Sequence, residues 1–244
     1  MQSPRLTRFA IPVALAAFAS IASGQGLTTS TMSAAAPAQV PGVASGPHLS
    51  IDGHVGTPGF GADGNLLLFS HLGVRGGFNA MGFTFSPTVK DVKLDGNLRL
   101  LTFPFVADLY PWGNGSFHLS GGLVINKNQL SATGVPSSAG TYSFNGNSYT
   151  SSQVGIISAK LNWATSGYAG LGWGTPAMKG RVGFITDLGV IIGQPTFTLT
   201  STNPSGNGTL AADVQAQQAS SQKSVQKYGK FYPVINFGIA IRVL

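Results

Sequence analysis

From Ile235 to Val243 the side chains alternate without interruption. Ile235, Phe237, Ile239, Ile241 and Val243 fall on one face, and Asn236, Gly238, Ala240 and Arg242 on the other. A period of two is the signature of a β-strand. The pattern returns throughout the chain. Phe117, Leu119, Leu123 and Ile125 oppose Ser116, His118, Ser120, Gly122 and Asn126. Val182, Phe184, Leu188, Val190 and Ile192 oppose Arg181, Gly183, Asp187 and Gly189. Leu72, Val74 and Phe78 oppose His71, Gly73, Arg75, Gly77 and Asn79, and Ile157, Ala159, Leu161 and Trp163 oppose Ser158, Lys160 and Asn162. Val92, Leu94 and Leu98 oppose Lys93, Asp95 and Asn97, and a slip of phase near Leu100–Leu101 reads as a β-bulge.

A water-facing sandwich also alternates. What separates the two is the second face, which here carries mostly Gly, Ser, Asn and isolated charges. Only 9% of the 244 residues are charged, all seven acids are Asp, and Gly accounts for 34 positions. A surface so short of Lys, Glu and Arg does not suit exposed helices. A closed barrel in lipid needs the opposite arrangement: apolar outside, small or polar inside, and no unpaired backbone. The route is consistent with this. Arg5 and Arg8 precede an apolar stretch from Phe9 to about Ala22, and Ala22 and Gly24 precede a plausible cut before Gln25. Residues 1–24 therefore read as a secretory signal peptide, residues 25–47 as an Ala/Pro/Ser/Thr linker, and residues 48–244 as the barrel. The net charge of +7 includes the two leader arginines and is otherwise spread thinly, which gives no nucleic-acid footprint. Without cysteine there are no disulfides or thiolate sites.

Strands are expected near 48–56, 60–68, 71–86, 92–108, 115–130, 153–163, 167–175, 181–192, 196–202 and 230–243. Ten strands place the two long connections, 131–152 and 203–229, on the same outer side; merging 48–56 with 60–68 and 181–192 with 196–202 gives eight and moves 131–152 to the periplasmic side. Thr209, Asp213, Lys223 and Lys227 suit a helix over 209–229, with a thin apolar stripe of Leu210, Val214 and Val225.

"ADLYPWGNGSFHLSGGLVINKN", "GYAGLGWG" and "YPVINFGIAIRV" resemble the small bacterial outer-membrane β-barrel proteins, over roughly residues 50–244. The resemblance implies an all-β, antiparallel, up-and-down transmembrane barrel in the bacterial outer membrane. Its partners would be outer-membrane lipid and lipopolysaccharide, with the barrel-assembly machinery acting during insertion. It names no activity, and no cofactor is expected.

The inward charges are expected to be Asp63, Arg75, Lys93, Asp95, Arg99, Lys160, Asp187 and Arg242, forming an ion-pair network that fills a narrow lumen. Arg242 should find an Asp partner. Tyr110, Trp112, Trp163, Tyr168 and Trp173 lie near strand ends and suit aromatic girdles. "GFGADG" at 59–64 matches a dinucleotide loop, but the strand that follows it is not the helix such a loop requires. His48, His54, His71 and His118 show no metal-ligand spacing. His118 and Ser120 sit two apart and point inward, as an acyl-transfer pair would. Lipid A deacylases resemble this, although Gly121 and Gly122 follow where their motif has Asn. The leading reading is a barrel with a structural or surface-interaction role and no enzymatic activity. A narrow pore is the first alternative, and a lipid A acyl hydrolase using His118 and Ser120 the second.

Overall fold

The computed structural model describes residues 48–86, 88–89, 92–112, 116–135, 141–174, 181–203 and 208–243. The signal peptide and linker expected over 1–24 and 25–47 lie outside the described residues. The strands are β1 (His48–Gly56), β2 (Gly59–Phe69), β3 (Leu72–Phe85), β4 (Thr88–Val89), β5 (Val92–Leu109), β6 (Phe117–Asn126), β7 (Gln129–Val135), β8 (Thr141–Phe144), β9 (Asn147–Thr150), β10 (Ile157–Trp163), β11 (Ser166–Trp173), β12 (Val182–Ile192), β13 (Pro195–Ser201) and β14 (Phe231–Arg242). Among the described residues two helices join them, α1 (Ser151–Val154) and α2 (Gly208–Tyr228).

Eight strands close the barrel, in the order β1, β2, β3, β5, β6, β11, β12, β14 and back to β1. Every pairing is antiparallel. The closing strand β14 binds β1 through seven residue pairs, from Ser50↔Arg242 to Gly56↔Asn236.

The count of ten strands is corrected to eight. Alternation predicts a hairpin from segments 153–163 and 167–175, yet β10 runs on into β11 in one direction. The break at Ala164–Thr165 is a bulge: Trp163 pairs with Pro195, but Gly167, four residues on, pairs with Ile192, three residues back. An inserted residue in an otherwise continuous strand looks like a turn to any count based on alternation. The strands β12 and β13 likewise form one path, as do β6 and β7. Both long connections still leave the same end of the barrel, because two merges preserve parity.

The outer wall is a continuous apolar belt. Phe60, Phe69, Phe78, Phe105, Leu123, Phe184, Phe237 and Ile239 all point out and are largely exposed, Phe184 by 81%. So much contiguous apolar surface does not suit water, and with no free edge in the closed barrel it suits lipid. No helix among the described residues is long and apolar enough to cross a membrane, which bears only on helices.

Beyond the belt the same sheet continues past the closed wall, in the order β3, β5, β7, β10, β13. Here the chemistry of the two faces inverts. Leu98 and Leu100 of β5, Leu161 of β10, and Phe197 and Leu199 of β13 are buried on the inner face. Asp95, Asn97, Arg99 and Lys160 are exposed on the outer face. The bulge expected at Leu100–Leu101 is absent: β5 keeps one register with β3 from Leu72↔Leu109 to Phe85↔Gly96. What looks like a slip of phase is the boundary between lipid and water, crossed by an unbroken strand.

The inner face of this extension is covered by α2 and the β8–β9 hairpin. Leu210, Val214 and Val225 of α2 pack with Tyr142, Phe144, Tyr149, Val154, Leu161, Phe197 and Leu199 in one core. The thin stripe read from the sequence is thus the buried face of a real helix. The same helix covers an exposed sheet edge, a hazard otherwise. Gln218 accepts a hydrogen bond from the Leu199 amide at 3.0 Å, and Gln222 accepts from Phe197 at 2.5 Å while donating to the Pro195 carbonyl at 2.9 Å. Those two glutamines, one helical turn apart, replace the missing neighbour of β13.

Candidate functional site in the barrel interior

Inward positions alternate down each strand, so the interior is set by every second residue of eight strands. At the end of the short turns, Tyr110 and Leu67 are buried together, and the Tyr110 ring lies 5.4 Å from that of His118. Next to them is the principal charge cluster. Arg75 of β3 donates to Asp187 of β12 at 2.8 Å, and its Nε lies 3.2 Å from Asp108 of β5. Ser120 donates to Asp108 at 2.6 Å, and the third Arg75 nitrogen donates to the Ser120 hydroxyl at 3.3 Å. His118 Nε2 meets the other oxygen of Asp187 at 3.1 Å. A guanidinium placed between two carboxylates supplies the opposite charge that buried carboxylates demand.

The glycines make this cluster possible. In the ladder, His118, Gly172 and Asp187 lie in one row across β6, β11 and β12. A Cβ at Gly172 would come within 2.7 Å of the Asp187 carboxylate and 2.5 Å of His118 Nε2. Glycine there lets the two side chains meet over it.

Towards the extension, the lumen turns apolar. Val106, Val124, Tyr168, Ile191 and Val234 form a buried layer, with Tyr232 against it. A cavity of about 30 Å³ remains between the two layers, lined among others by Asp63, Arg75, Asn79 and Asn236. On the side of β1, β2 and β3 lies a second polar cluster. His54 bonds Asp52 at 2.7 Å and Asn79 at 2.8 Å, Asn65 donates to Asp52 at 2.6 Å, and Asn79 donates to Thr102 at 3.3 Å.

Of the charges expected in the lumen, Asp63, Arg75, Asp187 and Arg242 face inward. Asp95, Arg99 and Lys160 do not; they are exposed on the outer face of the extension, beyond the point where the faces exchange roles. For Lys93 only its pairing, opposite Val135 and Thr88, belongs to the described structure. Arg242 meets His48 Nδ1 at 2.9 Å; Asp187, an Asp partner expected from the sequence, lies opposite Asn236, six residues away along β14. Among the aromatics, Trp112 and Trp173 lie outside and both contact Phe117, as a girdle at the short-turn end would. The other three are corrected. Tyr110 and Tyr168 are buried inside the barrel, and Trp163 packs against the core of the extension. Sequence reasoning missed Asp108, Asp52 and His54; the inward phase of β1 and β5 was the signal for them. His118 and Ser120 are adjacent and inward, as read, but each is bonded to a different carboxylate.

No family model matches the chain, and no curated protein does either. Solved structures do. CarO2 of Acinetobacter baumannii superposes with a TM-score of 0.55 at 20% identity, over 80% of this chain and 98% of that one. CarO of the same organism gives 0.52 at 19% identity, over 80% and 97%. The fold is that of a small bacterial outer-membrane β-barrel. A major outer membrane protein from Thermus thermophilus aligns at 14% identity and a TM-score of 0.43, over 81% of this chain and 99% of that one.

Proposed function

We propose that the protein is an integral outer-membrane barrel with a sealed lumen, whose working surface is the extension and its helix, held outside the cell. The observation that carries this is the filling of the interior: an ionic layer and an apolar layer, with a cavity of about 30 Å³ that touches both. Side chains alone fill a barrel of about eight strands. The orientation follows from the connections, since bacterial barrels keep short turns in the periplasm and long segments outside. Both large connections, carrying β8–β9 and α2, leave one end, and β2–β3 closes the other with Ser70 and His71.

Lipid is the partner best supported. Directly above the apolar belt, exposed Arg99, Lys127 and Lys160 lie on the outer face of neighbouring strands. Phe103↔Ile125 is the last apolar pair; the Lys127 amide then bonds Leu101, Arg99 pairs with Gln129, and Lys160 pairs with Ser131. Cations at that height suit the phosphates of lipopolysaccharide. The hydrolase reading lacks its central bond, because Ser120 donates to Asp108 and His118 meets Asp187.

The test is single-channel recording of the purified full chain in planar bilayers. Insertion without resolved conductance steps is expected. Reproducible, long-lived steps would replace the sealed barrel by the narrow pore.

A further inference from the structure

We propose that Asp52, His54 and Asp63 form a binding site for one divalent transition-metal ion, zinc by its donor set, inside the barrel wall at the β1–β2 hairpin. The three side chains are buried, and their donor atoms lie within 4.8 Å of one another. They come together through simple geometry. Asp52 and His54 are two apart on β1 and share its inner face, and the hairpin places Asp63 directly opposite Asp52.

Two carboxylates facing each other across a ladder repel, and burial raises the cost. Neither Arg75 nor His54 cancels them. Arg75 is already shared between Asp108 and Asp187. His54, even as an imidazolium, supplies one positive charge for two negative ones. Asp63 shows the deficit directly: it is 6% exposed, and its Oδ1 has no hydrogen-bond donor. That oxygen lies over Gly77, its partner on β3, where a Cβ would collide with it. Glycine keeps the space beside the carboxylate free.

The surroundings are arranged as outer-shell groups around a metal usually are. A ligating imidazole normally donates its second N–H to a fixed oxygen, which sets the tautomer. Here Nε2 faces Asn79 Oδ1 at 2.8 Å, and Asn79 is itself held by Thr102. In the metal-free site Nδ1 donates to Asp52 at 2.7 Å, so a metal ion that takes the place of that proton meets the Nδ1 lone pair and the carboxylate together, and Asn65 steadies the second Asp52 oxygen at 2.6 Å. One imidazole and two carboxylates select a first-row ion such as zinc over magnesium or calcium, which prefer all-oxygen shells. Binding would displace the Nδ1 proton.

The experiment uses the full chain, folded in detergent, stripped with chelator and titrated with zinc chloride. One zinc per chain is expected, by calorimetry and by elemental analysis, with release of about one proton near neutral pH. Asp63→Asn and His54→Gln should each weaken binding at least tenfold while keeping the heat-modifiable gel mobility of a folded barrel. Unchanged affinity in both folded variants would overturn the site, and so would a folded wild type that takes up no zinc saturably. Should either variant fail to fold, X-ray absorption of zinc-loaded wild type decides. One imidazole with oxygen neighbours at about 2.0 Å supports the site. A shell with several imidazoles, or with none, overturns it.

Discussion

The belt and the extension are built from the same strands and obey opposite rules. On β12, Phe184 and Leu188 point out into the lipid-facing wall while Asp187 points in to Arg75. A few residues on, along the same path, Phe197 and Leu199 of β13 point in and Thr198 points out. The phase of the backbone is unchanged; the solvent is not. In the belt the outside is apolar, and the interior combines a charge-paired layer with an apolar one. In the extension the interior is the hydrophobic core, and the outside carries Arg99, Lys160 and Asp95. Alternation therefore identifies a strand, whereas which face is bulky identifies the medium around it.

That contrast is most easily broken at Arg75. The guanidinium links Asp108 and Asp187, and its side chain is 9% exposed. Arg75→Leu leaves two buried carboxylates without their cation, a loss of about 3–5 kcal/mol for a fully buried pair. The urea midpoint of the folded gel band should fall accordingly. The extension has no such dependence, because its core of Leu210, Val214 and Phe197 contains no ion pair. If Arg75→Leu unfolds at the wild-type midpoint, charge pairing is not what holds the lumen.

The same strand path offers a sharper comparison. Phe184 and Thr198 share the outward phase, and Phe184 is the more exposed of the two. Phe184→Arg should cost about 2–4 kcal/mol if it sits near the middle of the bilayer. Thr198→Arg should stay within about 0.5 kcal/mol, as surface substitutions in water do. Folding yields into lipid vesicles across a urea series measure both. Equal costs would mean that the belt does not face lipid or that β13 does not face water.

Much of this is legible in the sequence, and the failures share one cause. The inward placement of Asp63, Arg75, Asp187 and Arg242 follows from period-two patterning, and the barrel from that pattern together with its small, polar second face. The rule that sends Asp95, Arg99 and Lys160 inward holds only in lipid, and nothing local in "VKLDGNLRLL" marks where lipid ends. Tyr110 and Tyr168 look like girdle residues by composition, yet their phase on β5 and β11 points in. The pairing of Asp52 with Asp63 depends on the hairpin register, which a two-residue connection at Thr57–Pro58 sets. Partner choice is the least legible part: that Arg75 takes both Asp108 and Asp187, and that Arg242 meets His48, requires knowing how distant strands meet around a closed wall.

The smallest effect concerns pH and separates the two regions a third way. In the extension Asp213 of α2 pins the helix to the β8–β9 hairpin. It accepts hydrogen bonds from Asn145 at 3.2 Å, from Asn147 at 2.7 Å and from the Tyr149 hydroxyl. The Tyr149 bond, then those of Asn147 and Asn145, hold this carboxyl below its usual range, and the same carboxylate raises the Tyr149 hydroxyl above its own. A lowered folded value means that the contribution is fully present above the ordinary carboxylate value near 4. It is lost as pH falls further, through the lowered one. A raised Tyr149 value means the reverse at the alkaline end, with loss only above about pH 10. Hydrogen exchange of the hairpin amides should therefore be constant from mildly acid to mildly alkaline conditions and accelerate below about pH 4 relative to the intrinsic rate. In Asp213→Asn the hairpin should exchange faster throughout and show no acid step, since the amide accepts fewer bonds and does not titrate. Retention of the acid step in that variant would assign it to another group and detach Asp213 from the closure of the extension.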